Sequence, residues 1–200
     1  MNEATNIYDL LMRGESIGDA PTEPEEEKLG RKALGRKTPG DVVRLAGKDF
    51  IVLGREDGGV AVITKEVVKY MAFGRTADYA SSAVRRYCND TFYRVLARAI
   101  GADNILSHAV DLTADDGTGG GFIDDFVSLI TMERYRRYRK YLPALGRWWW
   151  TATRVNADME DYARSVYYVL SDEVFLWGNS DNDAGAVRPF CILNPALLLN

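Results

Sequence analysis

Histidine and cysteine are almost missing from this chain: one histidine, His108, and two cysteines, Cys88 and Cys191, among 200 residues. A single imidazole excludes a metal site made from several histidines of one chain. It also gives no second anchor for a Ser–His–Asp or Cys–His arrangement, and His108 reads as a helix-end or loop residue. Two cysteines so far apart make no disulfide framework; buried thiols in a reducing compartment are expected, one bridge being the alternative. No apolar run approaches the ~18 residues of a membrane span. The first residues lack a basic region followed by an apolar core, so neither membrane insertion nor a signal peptide is expected. Surplus positive charge is missing as well. The 25 Lys and Arg against 29 Asp and Glu leave a net charge of -4, which argues against nucleic acid as the partner.

What is present fits a packed domain with an appendage. Apolar residues make up 46% and aromatics 11% of the chain, enough to fill a core at this length. Residues 1–38 read as an N-terminal arm and charged linker. Ile7, Tyr8, Leu10 and Leu11 form a brief helical stripe ending at Gly14, and proline, glycine and dense charge run from Pro21 to Lys37. Residues 39–200 read as one α+β domain. Its first element is a hairpin: one arm holding Val43, Leu45, Phe50, Val52 and Leu53, a turn at Asp57-Gly58-Gly59, and a return through Val60, Val62 and Ile63. Helical spacing follows over 79–100, capped by Ser81 or Ser82 and broken in two at Asn89-Asp90-Thr91. The Asp111–Gly121 stretch reads as a loop, Phe126–Ile130 as a strand, and Met132–Lys140 as a basic helix capped by Thr131. Strands and loops continue to the end.

The ordered set Gly40-Asp41-Val42-Val43, Phe50-Ile51-Val52-Leu53, Tyr79 to Asn89, Asp125 to Ile130, Trp149-Trp150-Thr151-Ala152-Thr153 and Val187-Arg188-Pro189 resembles a bacterial and phage module family. That family is similar in fold to formylglycine-generating enzymes and to the variable proteins of diversity-generating retroelements. The resemblance spans roughly residues 40–193 and implies a C-type-lectin-like fold: an N-terminal hairpin, two helices and a C-terminal strand-and-loop region carrying the ligand face. The closely spaced cysteine pair of the oxidases is absent, since Cys191 stands alone, and His108 cannot supply an iron site. No catalytic residue is therefore expected.

Candidate ligand-binding residues lie in the last third. Three consecutive tryptophans, Trp148 to Trp150, must alternate faces if they form a strand. Trp148 and Trp150 are candidates for an exposed platform against sugar C–H surface; the competing assignment is core or subunit interface. The loops Asn156–Tyr162 and Asn179–Ala184 offer Asn156, Asp158, Tyr162, Asn179, Asp181, Asn182 and Asp183, which suit a polyol or a basic protein patch, or merely solubilise turns. Asp111 to Gly117 and Asp181 to Gly185 have calcium-type oxygens without EF-hand spacing; calcium is the one cofactor considered. The basic helix, with Arg134, Arg136, Arg137 and Arg139, pairs with acidic loops or a neighbouring subunit, or binds phosphate. Arg188 is expected to meet a carboxylate.

The function expected is a non-enzymatic binding or display module on a phage virion, a head-fibre or receptor-binding protein. Its partner would be a protein or glycan on a cell surface, or other virion proteins. Before assembly it would reside in the bacterial cytoplasm. The short apolar stripe of the arm needs a partner surface, so a homo-oligomer, in analogy a trimer, is expected. The alternatives are an enzyme on the same fold with unrecognised chemistry and a purely structural subunit.

Overall fold

The computed structural model describes residues 32–170, 175–182 and 185–199. The stripe at Ile7–Leu11, the linker up to residue 31, Val174 and Asp183 lie outside the described residues. The described chain starts with β1 (Lys32–Ala33) and a single turn, Leu34–Arg36. A meander follows: β2 (Val42–Leu45), β3 (Lys48–Glu56) and β4 (Gly59–Thr64). Its turns are Ala46-Gly47 and Asp57-Gly58, with φ of 49° and 73°, then 49° and 76°, the left-handed pairs of two-residue hairpins. The arm read as continuous from Val43 to Leu53 is thus two strands. Asp57-Gly58 announces its turn, whereas alanine seldom adopts positive φ and Ala46 gives no such signal.

After β5 (Lys69–Tyr70) comes one long helix in three parts: α1 (Ala83–Arg86), a π-helical stretch Tyr87–Phe92, and α2 (Tyr93–Ile100). Ser82 caps it, its Oγ accepting from the Arg85 N–H at 3.0 Å, a contact worth about 1 kcal/mol. The break expected at Asn89-Asp90-Thr91 does not occur. Asn89 turns outward, and its Oδ1 accepts from the N–H groups of Phe126 (3.0 Å) and Val127 (3.3 Å) instead of capping a second helix.

Short strands β6 (Ile105–Leu106), β7 (His108–Asp111), β8 (Phe122–Asp125) and β9 (Val127–Ser128) lead to α3 (Met132–Tyr138), capped by Thr131 as expected. The remainder is β10 (Trp149–Arg154), β11 (Ser165–Val169), β12 (Phe175–Asn179), β13 (Ala186–Val187), β14 (Phe190–Leu193) and β15 (Leu198–Leu199). The architecture is α+β, mostly strand.

One sheet has the order β2-β3-β4-β14-β6, with β9 also on β14. Both of its faces are covered, so its strands are apolar at successive positions. Phe50, Val52, Val60, Val62, Cys191 and Leu193 pack with Cys88, Phe92 and Leu96 of the long helix. Ile51, Leu53, Ala61, Ile63, Phe190 and Ile192 pack with Met132, Tyr135 and Tyr138 of α3. The second sheet has the order β12-β11-β10-β13-β5. On β10, Trp150 belongs to the first cluster and Trp149 to the second.

Arg188 links the two sheets between β13 and β14 and is fully buried. Its Nε donates to the Thr64 carbonyl (3.0 Å) and its Nη2 to the Lys65 carbonyl (3.2 Å). The guanidinium carbon sits 4.7 Å from the Trp149 ring centre. The expected carboxylate partner is replaced by backbone carbonyls freed where β4 ends, and burial lowers the pKa to about 10, against the opposing charge of Glu66.

The boundary at 38/39 cuts through packed structure. β1 pairs with β15 (Lys32↔Leu199, Ala33↔Leu198), Leu34 is fully buried, and the Gly35 N–H donates to Pro195 O at 2.7 Å. Removing a buried leucine from a core costs about 2–5 kcal/mol. A chain beginning at Pro39 should therefore unfold in urea with a stability lower by about that amount than one beginning at Lys32; equal midpoints would show that the segment contributes nothing.

A second test concerns Gly185. A Cβ on it would overlap the Trp150 indole, whose Nε1 donates to the Met71 carbonyl at 3.0 Å while the Met71 N–H donates to Gly185 O at 2.9 Å. Gly185→Ala should lower stability by at least the ~1–3 kcal/mol of ordinary overpacking, measured by equilibrium unfolding. An unchanged midpoint would contradict the close approach.

Candidate functional site

The chain leaving β5 is fastened to three neighbours before the helix begins. Gly74 N–H donates to Ser180 O (3.0 Å) and Ala77 N–H to Ala163 O (2.9 Å). Asp78 then closes a turn by accepting from Ala80 N–H (3.2 Å), Ser81 N–H (3.2 Å) and the Ser81 hydroxyl (2.7 Å). Between this segment, the start of α1 and Asp181 opens a cleft of about 730 Å³, lined by Arg75, Thr76, Ser81, Ser82, Arg86 and Asp181, with Ala72, Gly74 and Ala83 as its small walls. Its volume lies in the range of small-ligand sites. Gly74 permits the approach, since a Cβ there would lie 3.3 Å from Ser82 Cα. Asp181 is paired with Arg164 at 3.0 Å.

The sequence-derived candidates separate into two groups. Asn179, Asp181 and Asn182 are exposed at the end of β12, and Tyr162 lies nearby. The Tyr162 ring stands edge-on to Trp177, centroids 5.8 Å apart, and Trp177 is 52% exposed. Asp158 is exposed on the neighbouring loop. The others point inward. Trp150 is fully buried and Trp148 half-buried, packed edge-on to each other at 4.8 Å, with Trp148 4.9 Å from Tyr168. Trp150 cannot present its ring to a ligand, because Gly185 and Met71 close over it. Asn156 is buried in loop structure: its Oδ1 accepts from Asp158 N–H (2.7 Å) and Met159 N–H (2.6 Å), and its Nδ2 donates to Asp116. Trp177, Arg75 and Arg86 were not foreseen. Arg75 and Arg86 are more than ninety positions from Asp181 in sequence, and only folding brings them together.

Charged groups elsewhere are occupied by packing. In the basic helix, Arg134 bonds Glu56 at 2.6 Å and Arg136 bonds Asp115 at 2.8 Å, so both meet carboxylates. In the glycine-rich loop, Asp111 accepts from Thr113 N–H (2.8 Å) and Asp116 from Thr118 N–H (3.0 Å). Among the described residues no group of three or more His, Cys, Asp or Glu is arranged to hold a metal ion. Cys88 and Cys191 are buried free thiols whose pKa values burial pushes well up. Among the described residues no helix is long and apolar enough to cross a membrane.

His108 is a core residue rather than a helix-end or loop residue. It lies in β7, its Nε2 is 2.9 Å from Ser128 Oγ, and its ring is edge-on to Phe190 at 5.3 Å. Burial, then the Arg134 charge, lower its pKa from 6.5 to about 4, with the Leu106 backbone opposing. The folded state stays neutral where the unfolded chain binds a proton. The stability this contributes is present above pH 6.5 and is lost as pH falls toward 4, to a total of about 3 kcal/mol. Denaturant titrations should show that loss across this window and a smaller loss in His108→Gln; equal slopes in both proteins would refute it. No family model, curated protein or solved structure matches this chain, so its own geometry carries the functional reading.

Proposed function

We propose that this chain is a non-enzymatic binding module of C-type-lectin-like architecture, displayed on a phage virion, whose ligand-facing surface is the cleft with the adjoining 179–182 loop. The observation that carries this reading is the construction of the cleft. It is formed from loops, yet each loop is tied by backbone hydrogen bonds to sheet or helix, which is how a rigid scaffold presents a variable surface. Tyr162, Trp177, Asn179 and Asn182 supply the aromatic and amide chemistry common in paratopes.

The lectin-like reading is supported by the order of parts: an opening meander, helices, then a small sheet bearing the C-terminal loops. The paired strands β1 and β15 also fit display. They sit beyond the Leu193 end of β14, whereas the 179–182 loop precedes the Ala186 end of β13. The attachment side and the recognition side are thereby at opposite ends of the β13–β14 run. The arm, with Ile7, Leu10 and Leu11, would join copies into a trimer. A cell-surface glycan or protein is the partner proposed, and the buried His108, Cys88 and Cys191 favour recognition over turnover.

Fluorescently labelled protein should attach to a subset of cells in a panel of bacterial strains. The triple variant Asn179→Ala, Asp181→Ala, Asn182→Ala should lose that attachment while its Tm stays within a few degrees of the parent, since exposed turn substitutions usually cost within about 0.5 kcal/mol each. Attachment that survives the triple variant, or attachment to no strain, would overturn the proposal.

A further inference from the structure

The cleft beside Asp181 carries charge of the opposite sign to the chain as a whole. The protein has a net charge of -4, yet the cleft lining holds two guanidinium groups, Arg75 and Arg86, against one carboxylate, Asp181. That carboxylate already faces Arg164 at 3.0 Å. The other acid close by, Asp78, accepts from Ala80, Ser81 and the Ser81 hydroxyl and bonds to neither arginine. The remaining cation of the helix start, Arg85, is bound to the buried Asp125 at 2.8 Å. Arg75 and Arg86 are thus left as exposed cations without an ion pair among the described residues.

Their setting suits an oxyanion. Arg86 uses Nη1 to hold the Ser81 carbonyl at 3.2 Å, which fixes the guanidinium near the cleft and leaves most of its five donors for a ligand. Ser82 lines the cleft and is buried. Its oxygen already accepts from Arg85 N–H, so its hydroxyl proton is available to donate. The walls at Ala72, Gly74 and Ala83 bring no competing polar side chain, and apolar walls strengthen a charge contact by lowering the local dielectric. Guanidinium and hydroxyl donors around a small-walled cleft match carboxylate or phosphate oxygens.

We infer that the cleft binds an anionic sugar, gripping its carboxylate or phosphate between Arg75 and Arg86. The inference rests on the reading of the cleft as the ligand site and adds the chemical class of the ligand. Calorimetry at low salt with glucose, glucuronate and glucose 6-phosphate as probes tests it. Glucuronate or glucose 6-phosphate should bind at least about tenfold more tightly than glucose, and which of the two binds identifies carboxylate or phosphate as the group held. Arg75→Ala and Arg86→Ala should each remove that preference, while Arg98→Ala, on the exposed side of α2, should keep it. Equal binding of all three sugars, binding of none, or parent-like selectivity in both arginine variants would overturn the inference. Cell attachment by the same variants separates this from the broader proposal. Attachment that persists in the arginine variants but fails in the 179/181/182 triple variant sinks the anionic class alone. Attachment that persists in all of them sinks both.

Discussion

Trp149 and Trp150 are neighbours on one strand, and a strand turns neighbours to opposite faces. Two of the largest side chains therefore have to be covered from two directions at once. Trp150 is covered by Phe73, whose ring stands edge-on at 5.6 Å, and by the backbone of Gly185. Trp149 is covered by Tyr135, edge-on at 5.9 Å, and by the Arg188 guanidinium. The same division runs through β3, β4 and β14, whose successive residues belong alternately to the two apolar clusters. A long helix on one side and α3 on the other are the layers that this double demand requires.

The cleft inherits its rigidity from the same demand. Covering Trp150 pins Met71 to Gly185, and those two residues are the entry to the 72–76 segment and the exit of the 179–182 loop. The loops that line the cleft are thus anchored at the point where they leave the core. Binding there would carry a small ordering cost, which favours affinity from few contacts.

Much of the scaffold was legible in the sequence because local chemistry and period agreed. Asp57-Gly58 marked its turn, Thr131 its cap, and the alternation of Val60, Val62 and Ile63 its strand. Where the sequence misled, a tertiary partner had overridden a local signal. Asn89 looked like a helix breaker, yet its amide is spent on the backbone of Phe126 and Val127. Arg188 looked in need of a carboxylate, yet two carbonyls at the end of β4 serve it. Two-residue strands such as β5, β6 and β9 leave no pattern to read, since each exists only through its partner. The candidate site was half legible. Exposed Asn179, Asp181 and Asn182 follow from turn composition, but Asn156 differs from them only in having Asp116 and two backbone N–H groups within reach. Arg75 and Arg86 carry no local mark at all.

The π-helical stretch Tyr87–Phe92 has a consequence for how this chain tolerates change in length. Its closing bond, from Tyr93 N–H to Cys88 O, spans five residues instead of four, so the helix holds about one residue more than an α-helical path would. Asp90 and Thr91 are exposed, and substituting either disturbs little. Deleting either is another matter. The helix would revert to α geometry, and everything beyond would rotate by about 100°, swinging Leu96 out of the core and the exposed Val95 or Arg94 toward it. A surface position that is permissive to substitution is thereby intolerant of an indel, and the spacing between Cys88 and Leu96 is conserved by geometry even where the residues between them are not.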